Sequence, residues 1–469
     1  MVFMMRPALT CSCRPASVMP SWARLLCWVV MLTVAMGQTA LAQTLLRDTE
    51  IEETLDRYAH PIIQAAGLPP ESVEIHLIGD KQINAFVTAG RNMYFNTGLI
   101  LKAETPNELK GVIAHETGHI AAGHIARSDQ GIKAAMQPLL LTMGLGVLAA
   151  AAGRPDAAIG LLGSAQYFGT LSYLRYSRNQ ESAADQAGMR YLEATEQSGD
   201  GLVAFFERFR FQEVMSEAKR YPYFRTHPLS SARIAALRSR VAASNIQAKA
   251  DSPEDVMALK MMQAKIEGFL NPPGQTFAKY RDTVVTLPGR YARAIAFYQN
   301  AETEKALAMI TDLINDQPFN AYFWELKGQV LLEAGRADEA IAAHQRSVDL
   351  MPEAPLLRIN LAQAQIVSKD PQWEDEALAN LQHALAREKD NSFAWYQLSI
   401  LYDRQDKDGE ARLASAESRY YAGDLKQALV FAMRAREHLT RGTPEWRRAA
   451  DIVLASEPTK GDIQALGEQ

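Results

Sequence analysis

The pattern of apolar and polar positions predicts a mostly helical chain with one short β-rich stretch near its start. Residues 46–68 and 109–127 have the periodicity of amphipathic helices. Between them, residues 73–78, 84–87 and 92–95 are short runs that favour β-strands. Because these strands immediately precede the second helix, we expect a small sheet packed on that helix.

A long apolar stretch at 133–171 is the second feature of the pattern. Residues 134–152 hold no charge, and a break at 153–156 separates them from the apolar residues 157–171. The length is close to that of one membrane span, but the glycine and alanine content lowers the hydrophobicity. Two interpretations stay open: a buried helical hairpin or lid over an active site, and an element that contacts a membrane.

The first 42 residues have the pattern of a secretory signal peptide. Three arginines precede an apolar run at 25–36, and Ala40-Leu41-Ala42 follows as a cleavage site. An uncleaved membrane anchor is the alternative, although about a dozen apolar residues are few for crossing a bilayer. We therefore predict secretion to a bacterial periplasm through a cleaved signal peptide at 1–42.

Composition narrows the function classes. The chain has 469 residues, enough for two or three domains, and a net charge of -5 without a basic tract, so nothing points to nucleic acid. All three cysteines, Cys11, Cys13 and Cys27, fall within the predicted signal peptide. The predicted mature chain therefore has no disulfide and no thiolate metal ligand.

Beyond about residue 245, successive helical runs show an internal repeat. Ala306 and Ala340 are 34 residues apart, as are Ala377 and Ala411, and this is the period of tetratricopeptide helix pairs. Stacked helix pairs bury a continuous core and leave a concave surface for partners. A generic helical domain is the alternative.

Candidate chemistry centres on His115, Glu116 and His119, which form an H-E-x-x-H pattern. The sequence Thr-Pro-Asn-Glu at 105–108 predicts a capped helix start just before it. Histidines four residues apart share one helix face, so both imidazoles can bind one metal ion, with Glu116 beside it as a candidate base. The pattern is typical of zinc peptidases, and the alternative is two core histidines with a surface glutamate.

A second cluster, at 178–185, is a candidate source of a third ligand. Glu181 and Asp185 share one face of a predicted helix. Catalytic zinc takes three protein ligands and keeps one open position, so Glu181 fits the third place. Asp185 fits a role in orienting a ligating histidine. Taken alone, the same pair would be an ordinary solvated helix face.

Together these motifs resemble those of peptidase family M48. The resemblance rests on His115-Glu116-x-x-His119, Arg178, Glu181-x-x-x-Asp185 and Thr226-His227-Pro228, in this order. It covers roughly residues 45–245 of the chain. It implies one Zn²⁺ per chain on His115, His119 and Glu181, with Glu116 as the catalytic glutamate.

Three further assignments come with the resemblance. It implies that His227 can sit at the metal as a removable fourth ligand, although a histidine before a proline is also an ordinary turn residue. Asn84, Ala85 and Phe86 resemble the edge strand of the family. Such an edge commonly holds the substrate as an added strand, and a simple core strand is the alternative. Arg178 or His227 is the candidate donor to the oxyanion.

The prediction is thus an α+β zincin-type metallopeptidase domain, mostly helical with a small sheet, followed by an all-α tetratricopeptide-repeat solenoid. The resemblance implies an endopeptidase for polypeptide substrates that degrades or helps assemble envelope and outer-membrane proteins, with the repeats binding clients or assembly machinery. The rival is a non-proteolytic chaperone or adaptor that acts through the repeats. The predicted boundaries are signal peptide 1–42, metallopeptidase domain 43–250, helical linker 251–285, repeats 286–455 and tail 456–469.

Overall fold

A computed structural model of the chain describes residues 45–151, 154–246 and 250–460. The predicted signal peptide, its three cysteines and most of the predicted tail lie outside these residues. The described chain opens with strand β1 (Leu45–Leu46), helix α1 (Thr49–Ala65) and strands β2 (Glu74–Ile78), β3 (Ala85–Thr88) and β4 (Asn92–Asn96).

The four strands form one sheet in the order β1-β2-β4-β3, so the small sheet expected before the second helix is present. β2 and β4 run parallel, with Leu77 opposite Phe95, while β1 and β3 pair with their neighbours antiparallel. Alternation along β3 and β4 places Val87, Met93 and Phe95 in the core. In the described chain, β3 therefore lies at one edge of the sheet.

Helix α3 (Pro106–Ala121) begins at the predicted cap. The Thr105 hydroxyl accepts a hydrogen bond from the Glu108 N–H at 3.2 Å, and Pro106 occupies the first helical position. Val112 and Ile113 are buried in the cluster that α3 shares with α1 and the sheet. The helices that follow the sheet are α2 (Thr97–Lys102), α3 (Pro106–Ala121), α4 (Ser128–Ala151), α5 (Pro155–Ala194), α6 (Asp200–Phe209), α7 (Pro222–Thr226) and α8 (Ser231–Ala243).

Helices α4 and α5 pack against each other as a hairpin that turns near Arg154. Their large apolar side chains face outward: Leu141 and Leu148 are each 66% exposed, and Ile159 is 71% exposed. The interpretation of 133–171 as a buried hairpin is therefore wrong, because no described residue covers these side chains. Within the described ranges, no helix combines the length and the hydrophobicity needed to cross a bilayer.

The chain after residue 250 is a series of packed helices. α11, α13 and α15 begin 34 residues apart, at 287, 321 and 355, which is the tetratricopeptide period read from the sequence. Buried apolar residues form clusters along the series, as stacked helix pairs require. The helices are α9 (Pro253–Leu270), α10 (Pro273–Lys279), α11 (Leu287–Gln299), α12 (Thr303–Asp316), α13 (Ala321–Glu333), α14 (Ala337–Leu350), α15 (Pro355–Ser368), α16 (Glu374–Arg387), α17 (Ser392–Arg404), α18 (Asp408–Tyr421), α19 (Leu425–His438) and α20 (Pro444–Ala455).

A buried polar junction joins the start of the described chain to the repeats. Lys265 on α9 is 4% exposed, and its Nζ lies 2.7 Å from Asp48 Oδ2 and 3.3 Å from Glu50 Oε2. The Tyr291 hydroxyl donates to Glu50 at 2.9 Å, and Glu325 Oε2 lies 3.7 Å from the lysine. Because these groups come from the N-terminal segment, α9, α11 and α13, the repeats are held against α1.

Candidate metal centre

Small residues let α3 and α5 approach closely where they cross. A Cβ added to Gly118 would lie 2.8 Å from the Ala184 carbonyl oxygen, and one added to Gly188 would lie 3.0 Å from the Ala114 carbonyl group. A side chain at either position would have to displace backbone, so interior packing favours glycine there. This close contact brings the acidic face of α5 against the histidines of α3.

The structure brings His115, His119, Glu181 and His227 together, and all four are buried. His115 Nε2 lies 3.1 Å from His119 Nε2 and 3.3 Å from His227 Nδ1. The Glu181 carboxylate lies 3.5 Å from His115 Nε2, 3.4 Å from His119 Nε2 and 3.1 Å from His227 Nδ1. A tetrahedral zinc ion with bonds of about 2.0–2.1 Å separates its ligand atoms by about 3.3–3.4 Å. The four donors therefore fit zinc in type and in spacing.

Asp185 and Arg233 orient the first of these ligands. Asp185 Oδ1 lies 3.0 Å from His115 Nδ1, which leaves the Nε2 atom of that ring to face the other donors. Arg233 Nε and Nη2 donate to the same carboxylate at 2.8 and 2.7 Å, and Nη1 lies 3.0 Å from Glu181 Oε2. Burial would raise the pKa of Asp185, but hydrogen bonds from Arg233 and His115 lower it below its usual value.

His119 is oriented by a neighbouring histidine. Its Nδ1 lies 2.9 Å from His124 Nδ1, just beyond the end of α3. This contact occupies the far nitrogen of the His119 ring, so Nε2 is the atom turned toward Glu181 and His115. His124 thus supports a ligand and is not one of the four clustered donors.

Glu116 lies beside the four clustered donors. It is fully buried, and neither carboxylate oxygen has a hydrogen-bond partner among the described residues. The Nε2 atom of His227 lies 3.7 Å from Glu116 Oε1, and burial raises the pKa of the Glu116 carboxyl group. The site has three carboxylates, on Glu116, Glu181 and Asp185, and one guanidinium, on Arg233. With neutral imidazoles its net charge is -2. A divalent cation balances that charge.

His227 stands at the fourth corner of the cluster. It follows α7, its N–H donates to the Tyr223 carbonyl at 2.8 Å, and the Tyr223 ring stacks on its imidazole with centroids 4.8 Å apart. Closed four-ligand sites are typical of structural zinc, whereas catalytic zinc keeps one position for water or substrate. In this conformation the site is therefore arranged as a closed one.

Arg178, the other predicted oxyanion donor, is not brought into the cluster. It is exposed, and its Nε donates to the Leu174 carbonyl one turn earlier on α5, at 3.2 Å. This placement argues against the expected role of Arg178, because α5 has not yet entered the protein core at that residue. The guanidinium at the site belongs to Arg233 on α8, which the sequence did not reveal, since nothing near it in the chain marks it.

Ala85 and Phe86 are the first residues of β3 at the sheet edge, and Asn84 directly precedes them. Among the described residues, β3 pairs with β4 on one side and with no strand on the other. The Ile83 carbonyl accepts a hydrogen bond from the Tyr223 N–H at 3.3 Å. The residue that precedes Asn84 is thus tied to the short helix that precedes His227.

We expect Asp185→Ala to weaken zinc binding by about 10- to 100-fold, because the His115 ring would lose its orienting partner. Zinc titration against a competing chelator would measure the change. Asp312→Ala, on an exposed position of α12, is the matched control and should bind zinc like the wild type. Unchanged zinc affinity in the Asp185 variant would show that Arg233 and the surrounding packing orient His115 without it.

Both parts of this chain are similar to known proteins. A family model described as peptidase family M48 matches residues 46–241, and a tetratricopeptide repeat model matches residues 291–355. The beta-barrel assembly-enhancing protease of Yersinia pestis is 23% identical over 424 residues, which cover 88% of this chain and 86% of the relative. The protein of the same name from Escherichia coli K12 is 25% identical over 418 residues, covering 86% and 82%. Metalloprotease LoiP of Escherichia coli is 32% identical over 170 residues, covering 36% of this chain and 62% of the relative.

The family match spans the sheet, the two crossing helices and all four clustered donors. The match to the repeats falls on α11 to α14 and reaches the start of α15, where the 34-residue spacing is seen in the fold. Residues 46–241 therefore match peptidase family M48, and the chain is a metallopeptidase whose C-terminal part is built from tetratricopeptide repeats.

Proposed function

We propose that this zinc metalloendopeptidase acts in the bacterial periplasm on misassembled outer-membrane proteins. One observation carries the proposal: the closed cluster of His115, His119, Glu181 and His227 beside Glu116, in a chain that aligns along most of its length with relatives named beta-barrel assembly-enhancing protease. A non-proteolytic adaptor is not favoured, since such a protein needs neither the metal donors nor the buried glutamate.

His115, His119 and Glu181 would hold the metal, and the protein residues around them do the proton chemistry. Zinc, when bound, supplies a Lewis acid that polarises the peptide carbonyl and lowers the pKa of water. Glu116 accepts a proton from the attacking water and passes it to the leaving amine. Its two oxygens, buried and unpaired within the described chain, are free for that transfer. Asp185 keeps the His115 ring in place throughout.

The substrate would enter as an extra strand on β3. Main-chain hydrogen bonds along an exposed sheet edge hold a peptide in extended form with little dependence on its sequence. Asn84 to Phe86 lie on that edge, and the hydrogen bond from Tyr223 to Ile83 ties the edge to the segment that carries His227. This arrangement suits a protease for unfolded chains, since a folded barrel has no free strand to offer.

Clients and assembly proteins would bind the repeats. A cavity of about 620 Å³ lies between α9, the start of the described chain and the repeat helices α13 and α15. Its lining combines apolar side chains (Leu46, Phe269, Leu326), amides (Asn360, Gln363) and charged groups (Arg47, Asp48, Lys265, Glu325, Glu333). Such a mixed lining is suited to an extended peptide, because apolar groups can contact its side chains while amides bond its backbone.

His227→Ala is expected to keep zinc and to raise basal casein cleavage several-fold, because three ligands remain and the fourth position opens for water. Initial cleavage rates and metal content of the purified variant would measure this. His60→Ala removes an exposed histidine of α1 and should leave the rate unchanged. If the His227 variant retains zinc but cleaves casein more slowly, His227 is an oxyanion donor and not a removable fourth ligand that blocks the metal.

Cleavage of an unfolded β-barrel protein, with casein as a generic substrate, tests the proposed function. We expect cleavage of both substrates by the zinc-loaded chain, loss of cleavage on chelation and recovery on adding zinc. Stoichiometric zinc without cleavage of either substrate, in the wild type and in His227→Ala, would favour the adaptor. Cleavage of casein with no action on the barrel protein would leave the enzyme class intact and remove the proposed client.

A further inference from the structure

The hairpin of α4 and α5 displays more large apolar side chains than any comparable stretch of the described chain. These side chains occupy the part of each helix nearest the turn. The exposed members are Met136, Leu140, Leu141, Met143, Leu145, Val147 and Leu148 on α4, and Ile159, Leu162, Tyr167, Phe168, Leu171 and Leu174 on α5. An exposed apolar surface of this extent marks a contact with a partner or a membrane.

The apolar residues surround each helix and do not form a single stripe. On α4, Thr142 and Gly146 are buried and mark the side that faces α5. At about 100° per residue, the exposed residues from 140 to 148 cover roughly 200° of the remaining circumference. On α5, Leu162, Tyr167 and Phe168 likewise point in widely separated directions around the helix. No single protein surface could cover both helices over such an arc.

Charges in the same region are confined to the turn, where the sequence has Arg154 and Asp156. The sequence has no Asp, Glu, Lys or Arg at 134–152 or at 157–174. A protein-binding patch normally combines an apolar centre with a polar rim, and an amphipathic surface helix keeps one charged face. A helix that is apolar all round belongs in an apolar medium on all sides.

We propose that the turn end of this hairpin is immersed in the acyl region of one leaflet of a lipid bilayer. The bilayer interior meets every direction of the apolar surface, as no one-sided partner does. Arg154, which is exposed at the turn, would extend its guanidinium to the headgroups along an aliphatic stem. The helices need not span the membrane for this contact, which agrees with their limited length and hydrophobicity.

The immersed segment is continuous with the metal centre. Glu181 follows Leu174 by seven residues on the same helix, a rise of about 10 Å. A bilayer that holds the hairpin therefore holds the metal donors close above the lipid surface. The consequence for clients, cleavage of chains that have stalled at a membrane, rests on the proposed function, whereas the lipid contact does not.

Flotation of the full-length zinc-loaded protein with phosphatidylcholine vesicles tests the proposal. Neutral lipid is chosen so that charge attraction contributes nothing. We expect the wild type to float with the vesicles at both low and high salt. The triple variant Leu141→Glu, Leu148→Glu, Ile159→Glu should partition at least about tenfold more weakly, because three buried apolar contacts become charged.

A double variant with equally exposed apolar residues elsewhere, Val214→Glu with Phe319→Glu, is the matched control and should float like the wild type. Zinc content and cleavage of a short soluble peptide should be unchanged in both variants, which shows that they are folded. Wild-type protein that stays in solution, or a triple variant that floats equally well, would overturn the proposal. A wild-type dimer that the triple variant dissociates, with no vesicle binding, would assign the surface to a second copy of the chain.

Discussion

Glu116→Gln is expected to lower casein cleavage by at least about 10²–10⁴-fold, the usual contribution of a positioned general base. Glutamine has nearly the same shape but cannot accept a proton, so water activation and protonation of the leaving amine both fail. The carboxylate is fully buried and has no hydrogen-bond partner among the described residues, so the substitution breaks no hydrogen bond within the described chain. Zinc content and thermal stability should therefore stay close to those of the wild type.

The control for this variant is Glu71→Gln, an exposed position before β2, which should cleave casein at the wild-type rate. Near-normal turnover by Glu116→Gln would assign the proton transfer to another residue. Loss of zinc together with loss of activity would show that the glutamate also holds the site together, since its charge contributes to the net charge of -2 around the donors.

His115→Ala is expected to empty the metal site and to abolish cleavage, because His115 contacts every other donor of the cluster. Its Nε2 lies 3.1–3.5 Å from His119, Glu181 and His227, and its Nδ1 is the group that Asp185 holds. Loss of the metal would leave the buried net charge of -2 around the donors unbalanced, so the folded state should also lose stability. Metal analysis of the purified variant and a thermal melt would measure both effects.

His124→Ala separates a ligand from a residue that supports one. It removes the contact of 2.9 Å to His119 Nδ1 but none of the four donors. We expect stoichiometric zinc with reduced affinity and partial activity. A His115→Ala protein that retained stoichiometric zinc would show that the cluster is not the metal site.

The repeats are harder to remove cleanly than their sequence suggests. From the pattern alone, residues 286–469 look separable, since the repeats carry no chemistry. In the fold, Tyr291 donates to Glu50 on α1, and the Lys265 ammonium group lies among Asp48, Glu50 and Glu325. Truncation would remove the Tyr291 hydroxyl from Glu50 and the Glu325 carboxylate from Lys265 in a buried junction. Substitutions in the cavity, such as Gln363→Arg, therefore test client binding more directly.

Two features of this protein could be read from the sequence because local geometry determines them. A helix places His115 and His119 on one face whatever surrounds it, and the cap at Thr105 locates that helix. The 34-residue spacing reports stacked helix pairs because each pair must bury the same positions. The roles of Glu181 and Asp185 could be predicted because catalytic zinc takes a third protein ligand and a carboxylate can orient a ligating histidine. The family resemblance supports the same two residues.

Other features were decided only by the tertiary structure. Arg233 reaches Asp185 and Glu181 because α8 packs beside α5, and no periodicity links residues so far apart in the chain. Arg178 lies near Glu181 in sequence but on the part of α5 that lies outside the core. The sequence could not decide whether the apolar hairpin is buried in the protein, because a charge-free apolar helix has the same composition whether protein or lipid covers it. The fold leaves its large side chains exposed. Local sequence sets which side chains share a helix face, whereas the packing of distant segments sets what that face meets.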